Sequence, residues 1–595
     1  MRHFYYLLLL FLCALFLYAP SASLNAASNA ASNSGKITVD IEGVDGDLLS
    51  NVQAFLNIYT ESKSSTEAGS ARIYRLHNQA PKQIKRALQP FGYYKVTVTK
   101  SLTSTENNWH AKYQIDKGPA IRVENLSVNI SGEGEKNVQF TKIKSLFLLK
   151  PGEILNQSIY DNFKQALQKI ALAEGYLNAK FITSEVQVDL KNYKANINLH
   201  FDTGPQFLFG EVRFIQPDTQ KDELLDEAFL RRYIPFKQND PYSNDALIHL
   251  QTVLSDSDHF YRIEIDQMFE EIQGITVPLE IRVTPRKPKK YRFGLGYGTD
   301  SGARASAEHQ RRVSPKGHVL TLKAKTSERI NRIDMQYMMP LKNPASDQFT
   351  MTTHYLQQVT QSRKTNAGAL DFRHTTGKGN WRQAVGLTYE REDYEIADDT
   401  GSSQLLMPNI DWLHSVFNNR IYPTKGSRIT TEIWVSHTSW FSDVNFLQLR
   451  FNGKWILPLA SNGRFIFRTN AGGTATGNVE FLPASKRFYA GGDQSIRGYG
   501  YEALGPEDNQ GEIIGGKYLA VASGEYEHKI FGNWGIAAFY DAGNSFNHSS
   551  EKIYHGYGVG LRWRSAVGPI RVDLGWPADK EVKYPRFHLI IGLDL

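Results

Sequence analysis

Hydrophobic residues along this chain of 595 residues follow two different periodicities, and the change between them comes near Thr284 and Pro285. Upstream of this point, apolar residues at helical spacing alternate with short strand-like runs. Downstream, helical spacing stops, and apolar and polar residues alternate in strand-like runs to the C-terminus. The pattern predicts a multidomain protein in which small α+β modules precede a long all-β region.

The upstream region contains a pattern that repeats three times. An aromatic pair or a glycine-tyrosine pair follows each helix-like run, at Gly92-Tyr93, at Gly175-Tyr176 and, in a weaker copy, at Phe260-Tyr261. The apolar residues that predict one face of each helix are Ile84, Ala87, Leu88 and Phe91, then Phe163, Leu167, Ile170 and Ala173, then Leu247, Leu250 and Leu254. A capping-box pattern at residues 158–161 predicts the start of the second helix. Repetition at this interval indicates three similar modules, and three unrelated α+β domains are the alternative.

The downstream strands are amphipathic in a consistent sense. The apolar positions of three such runs are Leu447, Leu449, Phe451 and Trp455, then Tyr557, Val559, Leu561 and Trp563, then Ile570, Val572, Leu574 and Trp576. Mainly charged residues and glycine occupy the positions between them, which fits lipid outside and a wet lumen inside. A soluble sandwich would also alternate. Residues 290–595 predict a transmembrane antiparallel β-barrel of about 16 strands, because each strand needs about 9–11 residues.

The N-terminus has the pattern of a secretory signal peptide. A basic start at Arg2 and His3 precedes an apolar segment at residues 4–18, and small residues follow. This segment is shorter than the roughly 20 residues of a membrane-spanning helix, so we expect cleavage between residues 22 and 27 rather than anchoring. We therefore expect a signal peptide at residues 1–26 and a disordered linker at residues 27–35. Cys13, the single cysteine, would leave with the signal peptide.

Composition narrows the classes of function. The hydrophobic fraction of 41% and the mean hydropathy of -0.41 suit a barrel with a wet lumen better than membrane helices. A formal charge of +7 is modest for this length and does not predict a nucleic-acid partner. The chain lacks a nucleophile elbow, a nucleotide-binding βαβ unit and a zinc motif. We therefore expect no enzyme activity, no cofactor and no metal site.

The most distinctive segment is the glycine-rich run at residues 487–502, RFYAGGDQSIRGYGYE, in which Arg497 precedes Gly498 and Tyr499. This run resembles the loop signature of the BamA/TamA superfamily of outer-membrane assembly barrels, whose Arg-Gly-aromatic tip folds back into the lumen. The segments AFYDAGN at residues 538–544, ASGEY at 522–526 and NRIYPTKG at 419–426 resemble other parts of the same family. The final strand resembles the family's insertion signal, but it ends in Leu595 rather than in an aromatic residue.

The resemblance implies a domain organisation. It implies three periplasmic POTRA modules, at residues 36–117, 118–203 and 204–285, and an outer-membrane β-barrel at residues 290–595. The basic segment RKPKKYR at residues 286–292 would link the two parts, and its charge would suit phospholipid headgroups. Three modules, rather than the five of BamA-like proteins or the two of two-partner secretion transporters, resemble the TamA-like autotransporter assembly factors.

The resemblance also implies a function. A TamA-like protein assists the assembly or secretion of autotransporters and other β-barrel clients, within outer-membrane lipid. Its implied partner is a TamB-like periplasmic protein that is anchored in the inner membrane, and phospholipid movement between the membranes is a linked role. A two-partner-secretion-type transporter and a passive outer-membrane porin or receptor are the alternatives. Energy would come from client folding and from a weak seam between the first and last strands.

The residues that would carry this mechanism lie in the loop and along two strands. The expected loop tip consists of Ile496, Arg497, Gly498 and Tyr499. Alternation along residues 534–541 turns the tryptophan and isoleucine outward and therefore Asp541 inward. Glu525 lies on the opposite face from Tyr526, which would allow it to point inward as well. A buried guanidinium needs carboxylate partners, so we expect Arg497 to pair with Asp541 and Glu525. The alternative is a solvated loop arginine without partners.

Glycine predicts the position of the seam. The first barrel strand, at about residues 291–299, carries Gly294, Gly296 and Gly298, and the last strand, at about residues 587–595, carries Gly592. Glycine weakens a strand because it adds backbone entropy to the unfolded chain and packs no side chain. We therefore expect the junction of these two strands to open more readily than the other junctions of the barrel.

Overall fold

The computed structural model describes residues 34–64, 68–105, 108–217, 224–419, 421–460, 462–565, 568–578 and 584–592. The predicted signal peptide and most of the predicted linker lie outside the described residues. Ser34 already begins the first strand, so the last two residues of the predicted linker belong to a strand instead. The chain divides into two compact units, Met1–Phe207 and Leu208–Leu595.

The first module packs its helices on one face of a four-stranded sheet. Its elements are β1 (Ser34–Glu42), α1 (Gly46–Phe55), α2 (Asn57–Ser62), β2 (Ala68–Gly69), α3 (Ser70–Leu88), β3 (Thr97–Thr105) and β4 (Asn108–Asp116). The strand order is β2-β1-β4-β3, and β1 and β4 are parallel. Ile84, Ala87 and Leu88 are buried on α3, which confirms the predicted face, while Phe91 lies in the short 3₁₀ turn that follows.

The second module has the same layers and a three-stranded sheet. Its elements are β5 (Arg122–Ser131), α4 (Val138–Ser145), α5 (Gln157–Ala173), β6 (Lys180–Asp189) and β7 (Lys194–Asp202), with β5 and β7 parallel. Phe163 and Leu167 are buried on α5 as predicted. The predicted capping box is wrong, because Asn156 caps the helix and accepts hydrogen bonds from the backbone N–H groups of Ser158 and Ile159.

The third module repeats the topology of the second. Its elements are β8 (Leu208–Ile215), α6 (Glu227–Arg231), α7 (Asn244–Asp256), β9 (Phe260–Gln267) and β10 (Thr276–Pro285), with β8 and β10 parallel. Leu247, Leu250 and Leu254 are buried on α7, which confirms the third helical face. The three copies in the sequence therefore correspond to three α/β modules in the structure.

The repeated glycine-tyrosine pairs end helices in two of the modules. Gly92 and Gly175 adopt left-handed backbone conformations, with φ of 82° and 81°. The next residue then bonds back to the helix: the amide of Tyr93 donates to the Leu88 carbonyl at 3.3 Å, and that of Tyr176 to the Ala171 carbonyl at 2.8 Å. This geometry explains why glycine precedes the tyrosine in both copies.

The downstream region forms a closed barrel whose sixteen strands are neighbours in chain order, as predicted. The strands are β11 (Lys289–Gly298), β12 (Gly302–Arg312), β13 (Val319–Ser327), β14 (Ile330–Pro340), β15 (Asp347–Val359), β16 (Arg363–Lys378), β17 (Trp381–Ile396), β18 (Asp399–Phe417), β19 (Gly426–Ser436), β20 (Phe446–Leu459), β21 (Gly463–Thr476), β22 (Tyr518–Phe531), β23 (Trp534–Phe546), β24 (Tyr554–Ser565), β25 (Gly568–Pro577) and β26 (Arg586–Ile591). The β11 strand follows the third module after three residues. The predicted linker at residues 286–292 is therefore too long, since its last four residues belong to β11.

Side-chain exposure follows the predicted alternation. On β23, Ile536 and Tyr540 are exposed, whereas Phe539 and Asp541 are buried. On β24, Leu561 is exposed and Arg562 is buried. Apolar residues therefore face outward and ionisable residues face the lumen, as expected for a membrane barrel. Among the described residues, no helix has both the length and the apolar character needed to cross a membrane.

Candidate functional site at the lumen loop and the barrel seam

The connection between β21 and β22, residues 477–517, returns into the lumen and carries the predicted loop tip. Ile496 is fully buried in an apolar cluster with Val521 of β22 and Leu504, and Arg497 is only 2% exposed. Gly492 and Gly498 adopt left-handed conformations, with φ of 105° and 97°. A side chain at Gly498 would begin 2.8 Å from the Pro577 nitrogen. The tip is therefore a close-packed turn against the barrel wall.

Arg497 contacts both of its predicted partners. Its Nε and Nη2 donate to the two carboxylate oxygens of Asp541 on β23 at 2.8 Å and 2.9 Å, and its backbone N–H donates to the same carboxylate at 3.1 Å. Its Nη1 donates to Glu525 on β22 at 2.6 Å. The guanidinium also lies 3.4 Å from the centre of the Phe539 ring. Paired carboxylates and an aromatic face offset the cost of burying this charge.

A second arginine and two further carboxylates extend the cluster, and we call these six residues the lumen network. Its members are Arg497, Arg562, Glu525, Glu527, Asp541 and Asp573. Asp573 accepts from Arg497 at 3.2 Å and from Arg562 at 2.5 Å. Arg562 also donates to Glu525 at 2.7 Å. The two arginines therefore share their acids across β22, β24 and β25, and the loop is part of the charge balance of the barrel wall.

Strand alternation did not identify Asp573 as a partner of Arg497, or Arg562 as a second arginine that shares the same acids. The signal was available, because both residues occupy polar positions between outward-facing apolar residues. Alternation does not show at which level along the barrel axis each side chain lies. That level depends on strand register, which places Arg562 opposite Arg571 and Asp573 opposite Gly560 and His588.

Glycines on the barrel wall make room for the backbone of the loop tip. A side chain at Gly556 on β24 would begin 2.0 Å from the Arg497 carbonyl oxygen. One at Gly575 on β25 would begin 2.8 Å from the Gly498 nitrogen. The Tyr499 ring packs edge-to-face on Tyr554, with ring centres 5.5 Å apart. The barrel wall therefore complements the loop tip in shape as well as in charge.

The far side of the same loop contacts β16 and β17. Glu502 pairs with Arg363 at 2.9 Å, and the arginine lies 4.7 Å from the centre of the Tyr489 ring. Lys486 pairs with Glu390 on β17 at 2.8 Å. All of these side chains are largely buried. The loop thus contacts opposite parts of the wall, from β16 and β17 to β22 and β25.

The seam between β11 and β26 is short. Among the described residues, only Tyr297 pairs with Ile591 and Gly298 with Ile590. On its other edge, β11 pairs with β12 over its whole length, including Gly294 and Gly296. Gly592 ends the described last strand with φ of 126°, and its amide donates to the Pro569 carbonyl of β25 at 3.3 Å. Among the described residues, the rest of the β11 edge that faces β26 has no strand partner.

Side chains from three segments meet beside this short seam, and we call them the seam cluster: Thr299, Asp300, Asp493 and His588. The Thr299 hydroxyl donates to Asp493 at 3.1 Å and accepts from the Leu589 amide at 3.2 Å. His588 contacts Asp493 through Nδ1, and its Nε2 accepts from the Gly498 amide at 3.1 Å. Asp493 of the loop therefore contacts residues on both sides of the seam.

The third module contacts the barrel rim at the opposite end. Arg232, just after α6, donates to the carbonyls of Pro340 and Leu341 at 3.1 Å and 2.7 Å. The Phe229 ring lies where a side chain on Gly317 would otherwise begin, 2.4 Å away. His259 is buried against the Phe229 and Phe260 rings. Burial, and then the charge of Arg312, lowers the pKa of His259 to about 4.

Comparison with known proteins identifies the family. Residues 288–594 match the Omp85 superfamily domain. Residues 38–117 match the POTRA family described as "POTRA domain TamA domain 1", and residues 126–204 match the POTRA family described as "Surface antigen variable number repeat". The barrel match alone covers just over half of the chain.

Relatives and solved structures agree with this match. The outer membrane protein assembly factor BamA of Neisseria meningitidis is 20% identical over 564 residues, 81% of this chain and 68% of the relative. The BamA of Nitratidesulfovibrio vulgaris is 24% identical over 324 residues, 51% of this chain, and the match spans only 41% of that relative.

The crystal structure of Haemophilus ducreyi BamA that lacks POTRA domains 1–3 shares the fold, with a TM-score of 0.62 and 17% identity over 79% of this chain and 99% of that one. Sequence match and fold therefore lead to one conclusion. The chain belongs to the Omp85 superfamily, as an outer-membrane β-barrel protein with N-terminal POTRA modules in the periplasm.

Proposed function

We propose that this chain is an outer-membrane assembly factor that inserts or translocates other outer-membrane proteins at the seam of its barrel. The observation that carries the proposal is the edge of β11, of which only Tyr297 and Gly298 pair with described residues of β26. Backbone N–H and C=O groups within a bilayer require partners, since lipid offers none. A client strand that adds to this edge by β-augmentation would supply them.

The residues of β11 suit an edge that exchanges partners. Phe293 and Leu295 are 80% and 88% exposed on the outer face, so they would contact lipid or a client. Gly294, Gly296 and Gly298 occupy the positions between them and contribute no side-chain pairs across the strand edge. A client strand therefore meets few side-chain obstacles, and among the described residues it displaces two native residue pairs.

The lumen loop favours this role over that of a passive porin. It contacts β16 and β17 through Arg363 and Glu390, and β22 and β23 through Glu525 and Asp541. A porin function needs a lumen that is open to water, whereas this lumen is crossed by a packed segment with buried ion pairs. In our proposal Arg497 holds the loop in the position that supports the seam, and no catalytic step or cofactor takes part.

Within the family, we propose a TamA-type role in the assembly of autotransporters and other β-barrel clients. Two features support it: the three POTRA-like modules, and the match of residues 38–117 to "POTRA domain TamA domain 1". The proposed partner is a TamB-like periplasmic protein that is anchored in the inner membrane. Movement of phospholipid alongside clients is a linked proposal. Co-purification from crosslinked cells tests the partner directly.

Reversible closure of the seam tests the assembly role. The change is Tyr297→Cys with Ile591→Cys, because these residues lie directly opposite each other. Opposed residues of antiparallel strands have Cα atoms about 4.5–5.5 Å apart, which a disulfide spans. We expect client insertion, measured as folded client barrel in cells or proteoliposomes, to stop when the disulfide forms and to recover on reduction.

A disulfide inside the ordinary wall is the matched control. Leu295 and Ala305 are opposed residues of β11 and β12, so Leu295→Cys with Ala305→Cys adds the same crosslink one strand away. The control should retain client insertion whether oxidised or reduced. Full insertion with the seam disulfide quantitatively formed would refute lateral opening. It would favour passage through the lumen or thinning of the bilayer beside the seam.

A further inference from the structure

The seam cluster contains two neighbouring buried carboxylates. Asp300, at the end of β11, is 9% exposed, and Asp493 of the lumen loop is 6% exposed. The Asp493 amide donates to the Asp300 carboxylate at 2.5 Å. Together with the His588 ring, the two carboxylates offer ligand atoms that all lie within 4.8 Å of one another. Two buried acids so close together repel each other unless a positive charge lies between them.

One of these carboxylate oxygens has no hydrogen-bond partner. Asp300 Oδ1 is buried and unpaired, whereas Oδ2 of the same group accepts from the Asp493 amide. A cavity of about 340 Å³ adjoins the cluster and is lined by Asp300, Asp493 and Gln494 among others. This volume holds several waters, since one water occupies about 30 Å³ in the liquid. A buried carboxylate oxygen without a hydrogen-bond partner, beside a cavity with room for water, suits a hydrated cation.

We propose that Asp300 and Asp493 hold a calcium ion at the end of the seam, with the remaining ligands supplied by cavity waters. Calcium prefers oxygen ligands at about 2.3–2.6 Å, so two of its ligands lie up to about 5 Å apart, which accommodates the observed spread. Tetrahedral zinc needs ligands within about 3.5 Å of one another and favours nitrogen or sulfur donors. Carboxylates and water therefore assign the site to a hard divalent cation.

His588 is a positioning residue in this arrangement rather than a ligand. Its Nε2 accepts a hydrogen bond from the Gly498 amide, which leaves the proton of a neutral ring on Nδ1, facing Asp493. If Nδ1 bound the cation, the proton of the neutral ring would lie on Nε2. Two N–H groups, those of Nε2 and Gly498, would then face each other without an acceptor. Because both ring nitrogens are engaged, the histidine orients the Asp493 carboxylate and leaves its remaining lone pairs for the cation.

The cation would join the two sides of the seam through the loop. Asp300 continues from β11, and Asp493 contacts His588 of β26. The seam itself has only two described residue pairs, so one ion at its end adds a substantial share of its cross-strand contacts. The inference that calcium holds the seam closed rests on the proposed function of the seam. The inference that the ion binds does not depend on that function. The proposed site differs from the expectation of no metal. That expectation was based on short sequence motifs, whereas the residues of this site come from three segments that are distant in sequence.

Calcium titration of the purified full chain tests the site. Protein in detergent is treated with EDTA, dialysed into calcium-free buffer and titrated with Ca²⁺ by calorimetry. We expect one ion per chain, with affinity at least about tenfold lower in Asp300→Asn, which keeps the shape of the side chain but removes its charge. Hydrogen exchange at Thr299 and Leu589 should slow on adding Ca²⁺ to the native protein and not to the variant.

Asp399→Asn is the matched control, because Asp399 is exposed at the start of β18, at the same end of the barrel. It should bind Ca²⁺ as the native chain does. Heat-dependent mobility on electrophoresis checks that every variant forms a folded barrel. The proposed site is overturned if the native chain shows no saturable Ca²⁺ binding. It is also overturned if Asp300→Asn binds Ca²⁺ as tightly as the native chain does. The assignment to oxygen ligands is overturned if the chain binds Zn²⁺ more tightly than Ca²⁺ and if His588→Gln abolishes that Zn²⁺ binding.

Unchanged exchange at the seam despite Ca²⁺ binding would overturn the link between the ion and seam closure. Neither measurement uses a client protein. Failure of calcium binding therefore leaves the proposed assembly function standing, and failure of the assembly function leaves the calcium site standing.

Discussion

Arg497 of the lumen loop and Asp541 of β23 face each other in a bidentate pair, with Nε and Nη2 donating to the two carboxylate oxygens at 2.8 Å and 2.9 Å. Both side chains are almost completely buried. The Arg497 amide donates to the same carboxylate, so the pair fixes the loop backbone as well as the side chain. The pair also lies close to the seam, because the amide of Gly498, the next residue, donates to His588 of β26 at 3.1 Å.

Replacing Arg497 tests this relationship. Arg497→Ala leaves Asp541 without its arginine partner, whereas Glu525 keeps its ion pair with Arg562, and breaking a buried pair in this way costs about 3–5 kcal/mol. We expect a folded barrel with a displaced loop and strongly reduced client assembly. Arg497→Lys should also be defective, since an ammonium group cannot reproduce the forked contact with Asp541. The measurement is client assembly at matched protein levels, with protease accessibility of residues 487–502.

Arg391→Lys and Arg391→Ala are the controls, because Arg391 is an exposed arginine of β17. Both should assemble clients normally. If Arg497→Ala assembles clients at the native rate while its loop has become protease-sensitive, the loop contact has a structural role alone. If the loop stays protected in Arg497→Ala, the pair does not hold the loop.

Strand alternation was enough to predict two acidic partners of Arg497, Asp541 and Glu525, but not the third, Asp573. A strand has a period of two, so outward Ile536 and Tyr540 require Asp541 to point inward, and the structure shows this. Helical periodicity likewise placed Leu250 and Leu254 in the core of the third module. These inferences succeed because burial of one face depends on local spacing alone.

Other parts of the site depend on contacts that local spacing does not encode. The seam cluster unites Asp300, Asp493 and His588, which lie far apart in sequence and come together only when the barrel closes. Gly556 and Gly575 read as neutral lumen-facing positions, although they leave space for the loop backbone. Register across β24, β25 and β26 decides which side chains meet. Periodicity fixes only the face on which each side chain lies, and turn geometry is also needed to set the register.

Filling the glycine space should displace the loop tip without changing any charge. A side chain at Gly575 would begin 2.8 Å from the Gly498 nitrogen and 3.1 Å from the Arg497 carbonyl carbon, so Gly575→Ala forces the tip away from β25. We expect faster proteolysis of the loop and lower client assembly, weaker than the effect of Arg497→Ala. Gly368→Ala on β16 is the control, since no atom lies within 4 Å of its added side chain. Equal behaviour of the two variants would show that the tip does not need this space.

Arg232 should hold the third module to the barrel rim. It donates to the Pro340 and Leu341 carbonyls, and hydrogen bonds to a charged donor contribute about 1.5–3 kcal/mol each. We expect Arg232→Ala to speed hydrogen exchange at residues 313–318 and 341 by roughly 10-fold or more, with the strands unchanged. Arg213→Ala is the control, because Arg213 makes exposed ion pairs within the module. Unchanged exchange in Arg232→Ala would assign the docking to Phe229 and its apolar contacts.

The third module should lose stability in mild acid because of His259. Burial and the charge of Arg312 on β12 lower the pKa of His259 to about 4, while Asp258 opposes this shift only weakly. The Arg286 amide donates to the His259 carbonyl at 2.8 Å. The folded state therefore favours the neutral ring, which packs against the Phe229 and Phe260 rings.

The sign of the effect follows from proton binding. An unfolded chain protonates this histidine below about pH 6.5, whereas the folded chain resists protonation until about pH 4. The contribution is fully present above pH 6.5 and is lost progressively as the pH falls to 4, by about 3 kcal/mol in total. Thermal or denaturant unfolding of the full chain, followed by hydrogen exchange in β9 and β10, measures this slope. His259→Phe removes the titrating group and should flatten it over this pH range, while His249→Gln, at an exposed position of α7, should not. A His259→Phe variant with the native slope would assign the acid sensitivity to other groups.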